Sequence, residues 1–255
     1  EPGISLQSNP RALRRYLDEK GLRVSQIDGS FPFMGPEGSS FGVQYVQQAI
    51  RFAAEIDCPM VDTVDGALEI AHLPDTFISE EVTSYFPGDG CKVHILAINI
   101  TESQHLDIQK IRNNVFELIE YLNHENIFHI LAHPLYSINN LLTVEHFEKF
   151  LLLFKNFELN GTRDSQINEY LKQFLTKLRP EDIYWLTEKH KISPTYPKPW
   201  EKNVIGGSDD HGSLNIARSY TEIEGALDLA SALKSIESGN SNVVSSASSP
   251  RTMAH

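Results

Sequence analysis

Apolar residues recur along this chain at two periods. Val43, Val46, Ile50 and Ala53 repeat at helical spacing and predict an amphipathic helix over 43–56. "SNPRALRRYLDEKGL" predicts an earlier helix, with Ser8 or Asn9 as its cap, Pro10 in its first turn and Gly21 as its stop. Further helices are predicted over 107–123, 143–154, 164–177, 180–190 and 225–238. Short β-prone runs lie between them. They are 22–28, 59–64, "DTFISEEVTSYF" and "CKVHILAINI" as a hairpin around "PGDG", 127–134, 156–161, "NVIGGSDDH" and "RSYTEIE". The segment 29–41 is rich in Gly, Pro and Ser and reads as a loop, and the Ser-rich stretch 241–255 reads as a flexible tail.

Strands that alternate with helices predict parallel βα units. Seven or eight such strands, mostly parallel, fit a closed or nearly closed β/α barrel of the TIM-like type better than an open sheet, as a single domain over 1–240. Barrel enzymes carry their chemistry at the carboxyl ends of the strands. Those ends can be read directly.

They hold metal-ligand residue types. Strand one ends in Gln26-Ile27-Asp28, and strand two ends near Asp62 and Asp65. The third contains Glu80-Glu81, one of which must face inward and the other outward. His94 sits inside an apolar strand, and His133 ends another. Glu158 and Asn160 share one strand face, and the "GGSDDH" stretch supplies Asp209, Asp210 and His211. Each has an ordinary use: His94 as a packed core histidine, His133 as a loop hydrogen-bonder, Asp209 and Asp210 as turn caps. Convergence of independent strands on one end favours the metal reading. Imidazole with carboxylate suits zinc, manganese or iron. Such ions lower the pKa of a bound water and clamp a phosphoryl group. His72, His105, His124, His146, His190 and His255 fall in helices, loops or the tail and read as surface or packing residues, and His129 as facing a helix.

Composition narrows the partners. The net charge of −12 speaks against a nucleic-acid backbone but allows a small phosphorylated substrate at a cation. Two cysteines, Cys58 and Cys91, are too few for a disulfide framework. No apolar run reaches membrane-spanning length, and no signal-peptide order is seen, so the expectation is a cytoplasmic protein with no membrane partner.

From "DGALEIAHLPDTFISEEVTSYFPGDGCKVHILAINI" through "FHILAHPLY", "NFELNG" and "GGSDDHG", about 65–240, the chain resembles a PHP (polymerase and histidinol phosphatase) domain. The resemblance implies a distorted β/α barrel with up to three divalent ions, often zinc, manganese or iron, and phosphoester hydrolysis. It implies Glu81, His94, His133, Asp209 and His211 as metal ligands. Such domains also open with His-x-His on strand one and an Asp-His on strand two, and no histidine precedes His72 here. Residues 1–66, with "YLDEKGLRVSQIDGSFPF" and "VQQAIRFAAEIDCPMVDTVDGA", instead resemble a sugar phosphate isomerase/epimerase. The two likenesses meet at 65–67, so the chain reads as a chimera of two barrel families.

Three functions follow. The first is a metal-dependent phosphoesterase, intact or impaired. Asp28 would stand in at the His-x-His position, and Arg218 or Arg163 would clamp the phosphoryl oxygens. The second is a metal-binding barrel without catalysis. The third, sugar phosphate isomerisation or epimerisation, rests on the first quarter alone, and the catalytic glutamates of that family have no counterpart here.

Overall fold

The structure, a computed structural model, describes residues 9–24, 27–29, 36–58, 61–63, 77–161, 165–209, 219–226 and 228–245. The chain divides into two compact units, 1–78 and 79–255.

The first unit holds helix α1 (Pro10–Lys20), strand β1 (Ile27–Gly29), helix α2 (Pro36–Ile56) and strand β2 (Val61–Thr63). Asn9 caps α1 by accepting the Ala12 N–H, and Gly21 closes it in the left-handed conformation that a glycine takes freely. Helix α2 begins at Pro36, inside the stretch expected to be loop. Proline suits a first helical turn, where no N–H is needed. Strands β1 and β2 pair in parallel, with Asp28 opposite Asp62. Phe52, Ala53, Ile56 and Cys58 form the core, with Leu13, Val24, Ile27 and Val61 against it.

The second unit is built on a five-stranded sheet in the order β3 (Ser79–Tyr85), β4 (Lys92–Ile98), β5 (Phe128–Leu131), β6 (Asn156–Asn160), β7 (Asn203–Gly207). β3–β4 and β4–β5 are antiparallel, while β5–β6 and β6–β7 are parallel. The expectation of seven or eight mostly parallel strands in one barrel is therefore met only as a mixed α/β fold. Among the described residues nine strands fall into three sheets, and no hydrogen bonds join β3 to β7. The difference begins at the "PGDG" hairpin, which reverses the chain where a βα unit would not.

Two further elements depart from the sequence pattern. The helix expected over 107–123 is two helices, α3 (Glu102–Ile111) and α4 (Val115–His124). Thr101 and Gln104 form a capping box that starts α3 early, and Asn114 caps α4 by accepting the Phe116 N–H. An asparagine in mid-pattern thus acts as a start signal. The stretch expected to be flexible tail contains β9 (Asn242–Ser245), paired antiparallel with β8 (Ser219–Glu222). Val243 and Val244 give it β-propensity, and 246–255 lie outside the described residues.

One sheet face packs with helices. Alternate residues Val93, Ile95 and Ala97 are buried there, and α4 packs on β3 and β5. The other face is closed at its foot by α8 (Leu229–Glu237), whose Ile236 and Leu233 meet Phe128, Ile130 and Ile205. Each large side chain so buried contributes about 1.5–3 kcal/mol. The carboxyl ends of β5, β6 and β7 on that same face are polar and carry the site. Helices α5 (Val144–Leu153), α6 (Ser165–Thr176) and α7 (Pro180–His190) complete the unit. Among the described residues no helix is long and apolar enough to cross a membrane.

Candidate metal centre

The hairpin sets the first pair of the site. β3–β4 register puts Thr83 opposite His94 and Glu81 opposite Leu96, so Glu81 and His94 lie on one face, two rungs apart. Glu80 falls on the other face. There it meets Nδ1 of His105 at 2.7 Å and Nε2 of Gln109 at 2.5 Å, both on α3. The adjacent glutamates therefore divide as strand alternation requires, Glu80 to a helix and Glu81 to the site.

β5 brings the third residue. Its pairing with β4 continues one step past the strand, where the Ala132 N–H donates to the His94 carbonyl at 3.1 Å. His133 then turns with φ of 29°, and the Tyr136 N–H closes the turn on the His133 carbonyl. The turn swings the buried His133 ring onto His94. Nε2 of His133 lies 3.2 Å from Nδ1 of His94, and the rings meet edge to face. Oε1 of Glu81 lies 2.6 Å from His94 Nδ1 and 3.6 Å from His133 Nε2. The three side chains form a cluster that could hold a metal ion.

The donor set fits a divalent ion. Two imidazole nitrogens and a carboxylate oxygen face one point, and ligands held at about 2.0–2.1 Å in tetrahedral array stand roughly 3.3 Å apart. The 3.2 and 3.6 Å separations already match that. The 2.6 Å Glu81–His94 contact is a hydrogen bond, which has to open for an ion to enter. Hydrogen bonds from His133 and then His94 hold the Glu81 carboxyl down at about 2. Burial works to lower the His133 imidazole. Its hydrogen bond to Glu81 and the charges of Glu158 and Asp209 outweigh that, so its pKa is raised.

β6 and β7 supply the wall behind. Glu158 is buried, and its Oε2 accepts the His133 backbone N–H at 2.7 Å. Burial pushes its carboxyl up. Nδ2 of Asn160 donates to Glu158 Oε2 at 3.3 Å and to Asp209 Oδ2 at 3.0 Å. The backbone carbonyl of Asn160 accepts from Asn168 Nδ2 on α6 at 2.7 Å. Opposite Asn160 in β7 stands Gly207, where a Cβ would fall 2.0 Å from Glu158 Oε1. The first glycine of the pair has another task. A Cβ on Gly206 would fall 2.6 Å from the Tyr220 carbonyl oxygen, so β8 crosses there at backbone distance.

Of the residues expected in the site, Glu81, His94 and His133 come together. Asp209 stands beside them, joined through Asn160 and near enough for its charge to act on His133. His211 and Asp210 lie outside the described residues, as do Arg218, Arg163, Gln26 and Asp65. Asp28 and Asp62 are placed on β1 and β2 of the first unit, with only their backbones described. Glu158 and Asn160 were legible as sharing a strand face, but their part in holding His133 and Asp209 was not. The other described histidines have local partners: His105 with Glu80, His124 with Glu125, His146 with Asp89 and His190 with Glu148. His129 bonds the Ile127 carbonyl and stacks edge-on against Phe154. His72 and His255 lie outside the described residues.

No family model and no curated protein matches this chain. Solved structures similar to it in part include two at low identity. One is a candidate metal-dependent phosphoesterase from Bifidobacterium adolescentis, at 13% identity and a TM-score of 0.32, over 81% of this chain and 84% of that one. The other is the lesion-specific endonuclease PfuEndoQ from Pyrococcus furiosus, at 14% identity and a TM-score of 0.38. That match covers 95% of this chain and 54% of the endonuclease. Similarity at this level establishes neither a shared fold nor a shared activity, and the chemistry rests on the cluster of Glu81, His94 and His133.

Proposed function

We propose that this chain is a metal-dependent phosphoesterase. In this reading Glu81, His94, His133, Asp209 and His211 bind one to three divalent ions of the zinc, manganese or iron kind, within a distorted β/α barrel. The observation that carries it is the convergence of one carboxylate and two imidazole nitrogens, from β3, β4 and the turn after β5, on a single point. A divalent ion there supplies Lewis acidity to a phosphoryl oxygen and a lowered pKa to water.

The chain's own residues do the rest. Glu81, its carboxyl held down at about 2, stays ionised at neutral pH and offers a negative ligand. Against the opposing effect of burial, the hydrogen bond to Glu81 favours the protonated His133 imidazole, and a cation bound there would compete with that proton. Hydrolysis forms a P–O bond to water and breaks the ester P–O bond, with a proton passing to the leaving alkoxide. Arg218 is assigned to the phosphoryl oxygens from its place after the site loop, and Asp28 to a further oxygen ligand from its place where the resemblance expects His-x-His. The net charge of −12 favours a small phosphorylated substrate over a polyanion.

The test is phosphate release from a generic ester such as p-nitrophenyl phosphate with added Mn²⁺, Zn²⁺ or Fe²⁺. A folded protein that turns over none of it with any of these ions overturns the reading. Gln26 and Asp28, standing where histidines are expected, favour a second reading: a metal-binding protein without catalysis. It predicts bound metal, lowered by His133→Ala, and no hydrolysis.

A further inference from the structure

We propose that Glu158 is a positioning residue that sets the metal affinity of the centre by fixing two of its ligands at once, His133 directly and Asp209 through Asn160. The inference rests on the metal-centre reading and concerns how that site is held.

His133 and Asp209 have φ of 29° and 44°, in the left-handed region that residues with a side chain rarely adopt. Such conformations persist where the surroundings over-determine them. Glu158 and its partner Asn160 supply that constraint. Oε2 of Glu158 accepts the N–H of His133 itself at 2.7 Å, fixing the peptide from which the ring swings toward His94. The same oxygen receives Nδ2 of Asn160 at 3.3 Å, and this one amide also donates to Oδ2 of Asp209 at 3.0 Å. Asn160 is anchored from behind by Asn168 of α6.

The space is fitted to this carboxylate. Every residue of β6 is buried, and Gly207 leaves the room that any Cβ would take from Glu158 Oε1. A buried carboxylate is costly unless its hydrogen bonds are made, and an apolar residue would serve a mere core strand better. Partners that orient ligands in this way typically change metal affinity by about 10–100-fold when removed.

The experiment titrates Co²⁺ into the metal-free protein and reads both affinity and the visible ligand-field bands. Wild type, Glu81→Ala, Glu158→Leu and Glu158→Gln are compared, with circular dichroism confirming the fold of each. Glu158→Leu is expected to weaken Co²⁺ binding by about 10–100-fold and to shift the bands at saturation. Glu158→Gln keeps an oxygen for the His133 N–H and is expected to restore the bands and most of the affinity. A role in folding alone would move neither the bands nor the order of the two variants. Glu158→Leu with wild-type affinity and bands overturns the inference, as does an equal loss in both variants, which would assign the effect to charge. If Glu158→Leu does not fold, Asn160→Leu, which cuts the Asp209 arm, carries the same test, and wild-type affinity there overturns the inference. Absence of Co²⁺ binding by wild type, or unchanged binding in Glu81→Ala, overturns the metal centre itself.

Discussion

Gly207 and Glu158 occupy one another's space: a Cβ on the glycine would stand 2.0 Å from the carboxylate oxygen. The neighbouring glycine, Gly206, would collide instead with the backbone of Tyr220. The two alanine substitutions are therefore expected to separate. Gly206→Ala forces backbone apart and is expected to destabilise the protein by about 1–3 kcal/mol, read as a lower Tm. Gly207→Ala displaces the end of a side chain and is expected to lower metal affinity with a smaller change in Tm.

Metal removal gives the most direct check on the centre. Dialysis against a chelator is expected to abolish phosphate release, and added Mn²⁺ or Zn²⁺ to restore it. His133→Ala is expected to lower metal content measured by elemental analysis. His105→Ala, whose ring belongs to Glu80 on the other face, is expected to leave it unchanged.

The Glu81–His133 pair predicts a pH profile for the metal-free protein. Glu81 is depressed from 4.5 to about 2, so its contribution is present above about 4.5 and is lost as pH falls toward 2. His133 is raised from 6.5, so its contribution is present below 6.5 and is lost as pH rises through the raised value. Apo stability from this pair is therefore greatest between 4.5 and 6.5. Thermal melts should show Glu81→Gln flattening both limbs. Metal affinity should run the other way, falling as acid protonates His133.

Lys202 offers a contrast at the opposite end of the strands. Its Nζ donates to the carbonyls of Leu151, in the last turn of α5, and of Phe154, which caps that helix, and to the Tyr196 hydroxyl. Burial pushes it well below the ordinary lysine range, so stability should fall as pH drops from 10.5 toward the lowered value. Lys202→Met leaves two carbonyls without this donor and is expected to cost about 1–3 kcal/mol in unfolding experiments. Its effect on Co²⁺ affinity is expected to be small.

Much of the site was legible because its signals are local. Strand alternation alone separates Glu81 from Glu80, and "KVHIL" and "LAHP" show a histidine in or just after an apolar strand. The division of labour within "GGSDDH" was less visible. That the second glycine makes room for Glu158 depends on β6–β7 register, a pairing 47 residues apart in the chain. No spacing rule reveals such a pairing. The break at Asn114 and the strand at Asn242–Ser245 were missed because capping and partnership overrode the local pattern. The "PGDG" hairpin was legible from its turn, and it sets β4 antiparallel to both β3 and β5 in a sheet that alternation elsewhere suggested was parallel.

The ribbon of β8 and β9 has a consequence for the order in which the protein is made. Ser219 donates to the Leu159 carbonyl, Thr221 accepts the Gly206 N–H, and α8 between the two strands closes the foot of the site's face. All of these contacts come from residues 219–245, the last to be synthesised of those that support the site. While the ribosome is still reading that stretch, Glu158 on β6 and Asp209 just past β7 are without their cover. The centre is thus expected to become competent for metal only after that stretch has emerged, making ion capture a late event in the life of the nascent chain.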